Sequence, residues 1–386
     1  MGILRKIIAY FLGLILLFLI VAARPQEHEP VSVQQEQEIT TEVPEATHVE
    51  GESAFAPGEF IFDHIGDSYE WHILSYNNFH LTIPLPVIVF SKEKGLNIFL
   101  FSKFRHGHSD FNGFRFEREG ENRLKVVEIL QDGTTARPAV DLSFTKNAFA
   151  ALIAISLMLW VFLSVTKSYN TRKGKAPQGL QNLVEPFIIF IRDEVALPSI
   201  GRQKYERFLP YLLTVFFFIW INNMMGLIPI FPGGANVTGN ITITAMLAGF
   251  TFFITTLSGN RNYWQHIFNP PGVPWWLKFP LPLMPLIEFL GILIKPCVLA
   301  VRLFANISAG HIIALGFFSL IFIFGQMQVY LGFAVSPLTL AFTIFMSMLE
   351  LLVALIQAYV FTLLSSLYFG MATVEHHEHK EHKSTE

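Results

Sequence analysis

The chain is poor in cysteine and in charge. Its 386 residues include a single cysteine, Cys297, so an internal disulfide framework is excluded. Charged residues make up only 15% of the chain and are concentrated in the first 146 positions, the loops and the last dozen residues. Hydrophobic residues make up 52%, and the mean hydropathy is +0.45. This composition is typical of a polytopic helical membrane protein, and the net charge of −3 gives no support for nucleic-acid binding.

Motifs that would indicate an enzyme are also absent. The chain has no phosphate loop of the G-x-x-x-x-G-K-[ST] type, no H-E-x-x-H zinc motif and no nucleophile–base pair. Histidines and acids do cluster between positions 64 and 108, but without the spacing of recognised metal ligands: His64, Asp67, Glu70, His72, His106 and His108. The sequence therefore predicts a chain that is not an enzyme and that holds neither a metal nor a cofactor.

One long apolar stretch carries charge where charge is costly. Residues 281–323 suit only lipid or protein interior, yet they contain four ionisable side chains: Glu288, Lys295, Arg302 and His311. A charge at bilayer depth costs about 2.5–3.5 kcal/mol on insertion scales, so these residues are functional candidates. The first three recur every seven residues and share one side of a helix with Asn306. His311, nine residues after Arg302, projects from the opposite side of that helix. One helix thus presents a permanent cation on one side and a titratable imidazole on the other.

A further acid occurs in the next apolar stretch. Between Arg302 and Glu350 there is no Lys, Arg, Asp or Glu, and Gln357 follows Glu350 on the same helical face. A role as a helix cap or in the headgroup region is the alternative, but mostly apolar residues continue for about twenty positions on either side. Glu and His can each bind and release a proton inside the membrane, whereas the neighbouring Arg cannot lose its own. These residue types are typical of a proton relay.

The N-terminal part of the chain is predicted to be exported. Residues 1–23 have the charge, apolar run and small-residue end of a secretory signal peptide, with an uncleaved anchor as the alternative. Residues 24–57, rich in Glu, Gln, Pro and Thr, predict a flexible tether. In residues 58–146, alternation in TIPLPVIVF, LNIFLF and FRFERE predicts short strands and a small β-containing extramembrane region.

The remaining chain predicts an all-α polytopic membrane protein with five transmembrane helices in the mature chain. The helices are expected at 147–166, 208–230, 239–258, 282–324 and 333–371, with an amphipathic helix at 180–191 lying in the membrane interface. The basic residues after the first helix place its end in the cytoplasm, and with it the tail of residues 373–386. The last two segments are about twice as long as the bilayer is thick, and RLFAN offers no break, so we expect a long oblique hairpin.

These residues carry a resemblance to a known family. KPCVLAVRLFANISAGH at 295–311, followed by LELLVALIQAYVF at 349–361, resembles subunit a of the Fo sector of rotary ATP synthases. The match covers residues 147–372, including NNMMGLIP at 222–229, and leaves the exported region as an extension. The resemblance implies a bacterial inner-membrane protein with an exported N-terminal region and a cytoplasmic C-terminus.

Residue roles follow from the resemblance by position. Arg302 matches the arginine that faces the rotating c-ring, His311 and Glu350 match two half-channel positions, and Gln357 and Asn306 match polar positions near the arginine. In many bacterial relatives the acid precedes the histidine, and here the two are exchanged, as is easily understood if the two groups meet in space. Gly226 stands where some relatives have an acid. The candidates for lining the half-channels are Glu288, Lys295, Asn223 and Ser308, although Glu288 and Lys295 could simply snorkel.

The implied function is that of a channel subunit in the stator. It would offer two proton half-channels to the c-ring, with the peripheral-stalk b subunits, membrane lipid and protons as its other partners. Two alternative functions are a secondary transporter and an intramembrane enzyme. A secondary transporter is expected to show internal repeats with interrupted helices, and an intramembrane enzyme needs a nucleophile–base pair or metal motif; the sequence has neither.

Overall fold

The fold is described by a computed structural model, which covers residues 57–76, 79–105, 107, 109–117, 124–130, 133–172, 174–228, 231–268 and 283–373. Three predicted features lie outside these residues: the signal peptide, the tether up to residue 56, and the tail from residue 374. The described chain is mostly helical, with a β-containing region before residue 146.

The helices of the described residues follow one another in this order: α1 Pro57–Ile65, α2 Lys146–Thr171, α3 Leu180–Phe190, α4 Leu197–Ile200, α5 Tyr205–Leu227, α6 Ile241–Leu257, α7 Arg261–Phe268, α8 Leu283–Met327 and α9 Val329–Thr373. A π-helical segment, Ile191–Ala196, joins α3 to α4. Among the described helices, α2 and α6 begin with a side-chain cap. At α2, the Ala148 amide donates to the Thr145 hydroxyl over 3.3 Å, and at α6 the Thr242 amide donates to Oδ1 of Asn240 over 3.0 Å.

Four described helices, α2, α5, α8 and α9, are long and apolar enough to cross a membrane. A fifth crossing is obtained if α6 and α7, which meet at an angle of 102°, are counted as one span. This is the architecture of a polytopic all-α membrane protein, as predicted. Helix α7, which follows α6 after a short break, was not predicted, because an eight-residue helix is too short to show a clear periodic pattern.

Helix α5 lies at the centre of the membrane-spanning bundle. All twelve residues from Phe208 to Ile219 are buried, and the apolar ones pack with residues of α2, α6, α8 and α9 in one hydrophobic core. Apolar residues occur all round this helix, which is the pattern of a helix surrounded by others rather than one with a single lipid face.

Helices α8 and α9 form a hairpin of two uninterrupted 45-residue helices. The hairpin turns at Gln328, and its arms approach closely there, because a Cβ on Gly332 would lie 2.8 Å from the Cα of Gly325. Helix α8 continues through the RLFAN segment without a break, as predicted. At about 1.5 Å per residue each arm extends roughly 68 Å.

The predicted apolar face of the 180–191 helix is wrong at two positions. Helical spacing assigns Gln181 to the polar face and Leu183 to the apolar face. In the structure Gln181 is 5% exposed and Leu183 is 61% exposed. Val184 and Ile191 are buried as expected. Periodicity predicts a single stripe, but α3 contacts both α2 and the π-helical segment, and these contacts rotate the buried side.

The extramembrane region contains three small antiparallel sheets. Its strands are β1 Glu70–Tyr76, β2 Phe79–Pro84, β3 Pro86–Ser91, β4 Gly95–Leu100, β5 Phe114–Glu117, β6 Lys125–Ile129, β7 Thr135–Ala136 and β8 Val140–Asp141. They pair as β1-β2, β4-β3-β8 and β5-β6-β7. Alternation sets the faces: Val87 and Val89 are fully buried, whereas Leu96 and Ile98 of the paired strand are more than 60% exposed. The predicted strands are present, but helix α1 was not predicted.

Candidate functional site

Helix α8 has a buried face and an exposed face in its middle turns. Leu299, Leu303 and Ile307 are buried against the bundle, with exposures of 4% or less. Arg302 and Asn306, four residues apart, lie on the exposed face. The structure therefore presents the guanidinium of Arg302 outward from this chain, at mid-height on an apolar helix, where a charge is costly unless a partner faces it.

Two turns before Arg302, the same helix borders a narrow cleft. Lys295 is exposed and lines this cleft together with Thr251, Thr255 and Tyr368. The Lys295 ammonium lies 6.0 Å from the centre of the Tyr368 ring, at the outer limit of a cation–π contact. Glu288, two turns earlier still, is partly exposed. One ammonium group and three hydroxyl groups therefore line the cleft beside this part of α8.

On the opposite side of α8, an imidazole meets a carboxylate. Nδ1 of His311 lies 3.1 Å from Oε1 of Glu350, which projects from α9. The Glu350 side chain is 6% exposed and that of His311 is 18% exposed. The distance is that of an ion pair, but the angles are not those of a hydrogen bond, so a small rotation of the ring is needed to align a proton between the two atoms. The two groups predicted from separate helices are in direct contact.

Two glycines make room for this pair. A Cβ on Gly310 would lie 2.9 Å from Oε1 and 3.2 Å from Cδ of Glu350, so the carboxylate rests against bare backbone. A Cβ on Gly226, at the end of α5, would lie 3.7 Å from Nε2 of His311. The imidazole therefore has Glu350 at one nitrogen and the α5 terminus at the other. Each ring nitrogen can carry a proton, which is the arrangement that a proton shuttle needs.

Three further polar candidates are engaged in packing. Asn223 is buried, its amide donates to the Ala354 carbonyl over 3.3 Å, and its oxygen accepts from the Thr238 hydroxyl. Ser308 donates to the Gly239 carbonyl over 3.4 Å. Gln357 is 6% exposed on the same face of α9 as Glu350. For Asn223 and Ser308, these bonds favour a role in holding helices and loops together over lining a water-filled path.

The sequence did not single out Gly310, Tyr368 or the burial of Lys146. Gly310 directly precedes His311, and small residues are enriched where helices pack closely in membranes. Lys146 was assigned to the boundary of the first membrane helix, but it is 9% exposed. No sequence pattern predicts that burial, because it depends on contacts with the extramembrane region.

Comparison with protein families divides the chain into two parts. The family described as ATP synthase A chain matches residues 148–370. A separate domain of unknown function matches residues 60–144. The boundary between them falls at the start of α2, where the extramembrane region meets the helical bundle.

Individual relatives are similar over most of their length. The chain is 39% identical over 280 residues to ATP synthase subunit a of Chloroherpeton thalassium, covering 71% of this chain and 77% of that protein. It is 39% identical over 285 residues to ATP synthase subunit a of Pelodictyon phaeoclathratiforme, covering 72% of this chain and 77% of the relative. It is 43% identical over 280 residues to ATP synthase subunit a 2 of Prosthecochloris aestuarii, covering 71% and 80%. The 71–72% of this chain that aligns is more than the part of the chain after residue 147, so the similarity extends into the extramembrane region.

Proposed function

This chain belongs to the ATP synthase A chain family, and from that premise we propose that it is the stator channel subunit of the Fo sector. In this role it provides two proton half-channels to the rotating c-ring and couples proton translocation to ATP synthesis. The chain is not itself the catalyst, since it has no phosphate-binding loop with which to hold ATP.

The separation of Arg302 from the His311–Glu350 pair is the observation that carries this proposal. Arg302 is exposed on one face of α8, whereas the pair is enclosed between α8 and α9 on the other. A channel that feeds a moving ring needs a fixed charge facing the ring and a proton path that does not pass through that charge. Arg302 and His311 lie within three turns of each other on α8, and Glu350 of α9 completes the pair.

Arg302 is proposed to act on the carboxylate of the c-ring. A ring carboxylate that arrives from lipid is protonated, because an ion in hydrocarbon is costly. Beside the guanidinium its ionised form is favoured, so the proton leaves into one half-channel. The guanidinium itself stays charged, so no proton crosses it from one half-channel to the other. Asn306, exposed on the same face, is proposed to orient the partner group through hydrogen bonds.

The two half-channels are proposed to lie on either side of Arg302 along α8. His311 and Glu350 form the relay of one half-channel, with Gln357 on the same face of α9. The cleft that contains Lys295 forms part of the other, and Glu288 lies further along the same stripe. The hydroxyl groups that line this cleft can exchange protons with water, whereas apolar side chains cannot.

The membrane arrangement follows from the lengths of the helices. An arm of about 68 Å is twice the hydrocarbon thickness of about 30 Å, so we propose that the α8–α9 hairpin crosses obliquely. Five spans result when α6 and α7 are one crossing. The basic residues after α2 place its end in the cytoplasm, which puts the extramembrane region on the exported side of the bacterial inner membrane. Lipid and the peripheral-stalk b subunits are proposed to contact the exposed apolar surface outside the ring-facing side.

Reconstitution with and without this chain tests the function. Vesicles that contain the c-ring, the b subunits and this chain should conduct protons under an imposed potential, whereas vesicles lacking this chain should not. Conduction should disappear when the catalytic sector is bound without nucleotide turnover. Equal conduction with and without the chain would contradict the proposal.

Gly310→Ala should impair the channel more than its size suggests. The new Cβ would meet Oε1 and Cδ of Glu350, which is enclosed and must turn away from His311. A misplacement of this size can cost about tenfold or more in a transfer step, so we expect about a tenfold lower passive proton flux. Gly316→Ala, on the same helix, is the matched control. A Cβ at Gly316 would have none of the described neighbouring atoms within 4 Å. Equal flux in the two variants would contradict the proposed contact.

A further inference from the structure

The chain between α5 and α6 lies beside the relay. Residues 231–240, which we call the bridging segment, belong to no helix or strand. A Cβ on Gly226, at the end of α5, would lie 3.2 Å from the Ala235 carbonyl oxygen and 3.7 Å from Nε2 of His311. The carbonyl and the imidazole therefore border the same bare backbone. Nε2 is the ring nitrogen that does not face Glu350, so the bridging segment lies on the free side of the ring.

Hydrogen bonds connect the bridging segment to the helices that carry the relay. The Ser308 hydroxyl of α8 donates to the Gly239 carbonyl over 3.4 Å. The Thr238 hydroxyl donates to the side-chain oxygen of Asn223, whose amide donates to the Ala354 carbonyl of α9 over 3.3 Å. Ser308 lies three residues before the relay histidine, and Ala354 lies four residues after the relay acid. The segment is thus bonded to both helices within about one turn of the relay.

The extramembrane region covers the other side of the bridging segment. The described part of residues 57–144, which we call the cap, contributes Trp71, which is 3% exposed. Its ring lies 5.2 Å from that of Phe231 at an interplanar angle of 76°, which is an edge-to-face contact. Ala235 and Val237, each 2% exposed, belong to the same buried cluster. The indole of Trp71 therefore packs on the segment that carries the carbonyl beside the relay.

The cap holds Trp71 in a fixed place relative to α2. The indole ring lies 6.3 Å from that of Phe149 in α2, again edge to face. Four residues before Trp71, Oδ1 of Asp67 accepts a hydrogen bond from the Asn147 amide over 3.0 Å. This bond satisfies an amide in the first turn of α2 that has no partner within the helix. The indole is thus anchored to the bundle on one side and contacts the bridging segment on the other.

We propose that Trp71 is a positioning residue for the proton relay and acts through the bridging segment. The inference rests on the proposed function of the chain. The orientation of a histidine ring is set by the group that its second nitrogen faces, often a backbone carbonyl. By holding the segment in place, Trp71 keeps the Ala235 carbonyl on the Nε2 side of His311. Nδ1 then stays towards Glu350, in the geometry that proton transfer between the two groups needs.

The test is passive proton flux per assembled complex, measured in vesicles with reconstituted Fo under an imposed potential. Trp71→Leu removes the ring contact with Phe231 and should lower the flux about tenfold, because a small misplacement of the groups slows a transfer step by that much or more. Phe101→Leu is the matched control. Phe101 is also a buried aromatic residue of the cap, at 2% exposed, but it belongs to a separate cluster whose buried members all lie within the cap. Its flux should equal that of the wild type. Equal losses in the two variants would mean that Trp71 only supports the fold of the cap, and would overturn the inference.

A double variant shows whether Trp71 acts through the bridging segment. Phe231→Leu removes the other ring of the same contact and leaves the cap intact, so it should lower the flux about threefold or more. The variant with both substitutions should conduct as well as Trp71→Leu alone, since contacting residues have non-additive effects. Wild-type flux in either single variant, or a double loss equal to the product of the single losses, would overturn the inference. A failure of the proposed function would appear instead in the wild type, as conduction that does not depend on this chain.

Discussion

Arg302→Ala should abolish ATP-driven proton pumping in vesicles that contain the complete complex. The guanidinium is exposed at mid-height on α8 and is the only side chain of residues 296–310 that carries a permanent charge. Without it, nothing favours the ionised form of a ring carboxylate at the interface, and nothing prevents a proton from passing between the half-channels. Pumping is measured as acidification of the vesicle interior on addition of ATP.

Two further variants sharpen this result. Arg302→Lys keeps a positive charge but loses the planar fork of donors, and lysine can release its proton, so we expect pumping to remain well below that of the wild type. Val301→Ala changes a neighbouring side chain that is 53% exposed and should pump normally. Assembly of the c-ring is checked in each preparation. Normal pumping by Arg302→Ala in assembled complexes would contradict the channel proposal and favour an unrelated ion path.

Helical periodicity predicted which side chains lie on the same side of each long helix. Arg302 and His311 lie on opposite sides of α8, and Glu350 and Gln357 share the buried face of α9, as their spacing requires. Such relations depend only on the number of residues per turn. The continuity of α8 through Arg302 was predictable for a similar reason, because that segment lacks the residues that break a helix.

Contacts between side chains of different helices were harder to predict from the sequence. The 3.1 Å contact of His311 with Glu350 depends on the register of α8 against α9, which neither helix encodes in its own period. The exchanged order of the acid and the histidine relative to other family members was the available clue. The closeness of the pair also depends on Gly310, whose role is clear only when the facing atoms are known.

The extramembrane region shows the same limit more strongly. Alternation identified strands around Val87 and Ile98, since it reports which residues face a common side. It could not predict that β3 pairs with β8, more than 45 positions later, or that α1 packs on α8. The burial of Lys146 and Trp71 also depends on distant contacts, with His64 for Lys146 and with Phe149 and Phe231 for Trp71. Contacts between distant segments therefore decide how the cap meets the channel.

Glu350→Gln should lower passive proton flux about a hundredfold, which is the scale of losing a positioned acid–base group. The amide has nearly the shape of the carboxyl group, so it fits beside Gly310 and His311, but it does not bind and release a proton at neutral pH. Assembly should therefore be preserved while conduction is lost. Ser347→Ala is the control on the same helix, since that exposed hydroxyl bonds only to the Thr343 carbonyl within the helix.

Exchanging the two residues tests the contact itself. A double variant with Glu at 311 and His at 350 keeps one acid and one imidazole at the two positions that lie in contact, 3.1 Å apart in the native pair. We expect it to conduct more protons than either single substitution, Glu350→His or His311→Glu, each of which leaves two like groups facing one another. Contacting residues have non-additive effects, whereas distant ones add. A double variant whose loss equals the sum of the single losses would mean that the two groups do not act as one relay, whatever their distance.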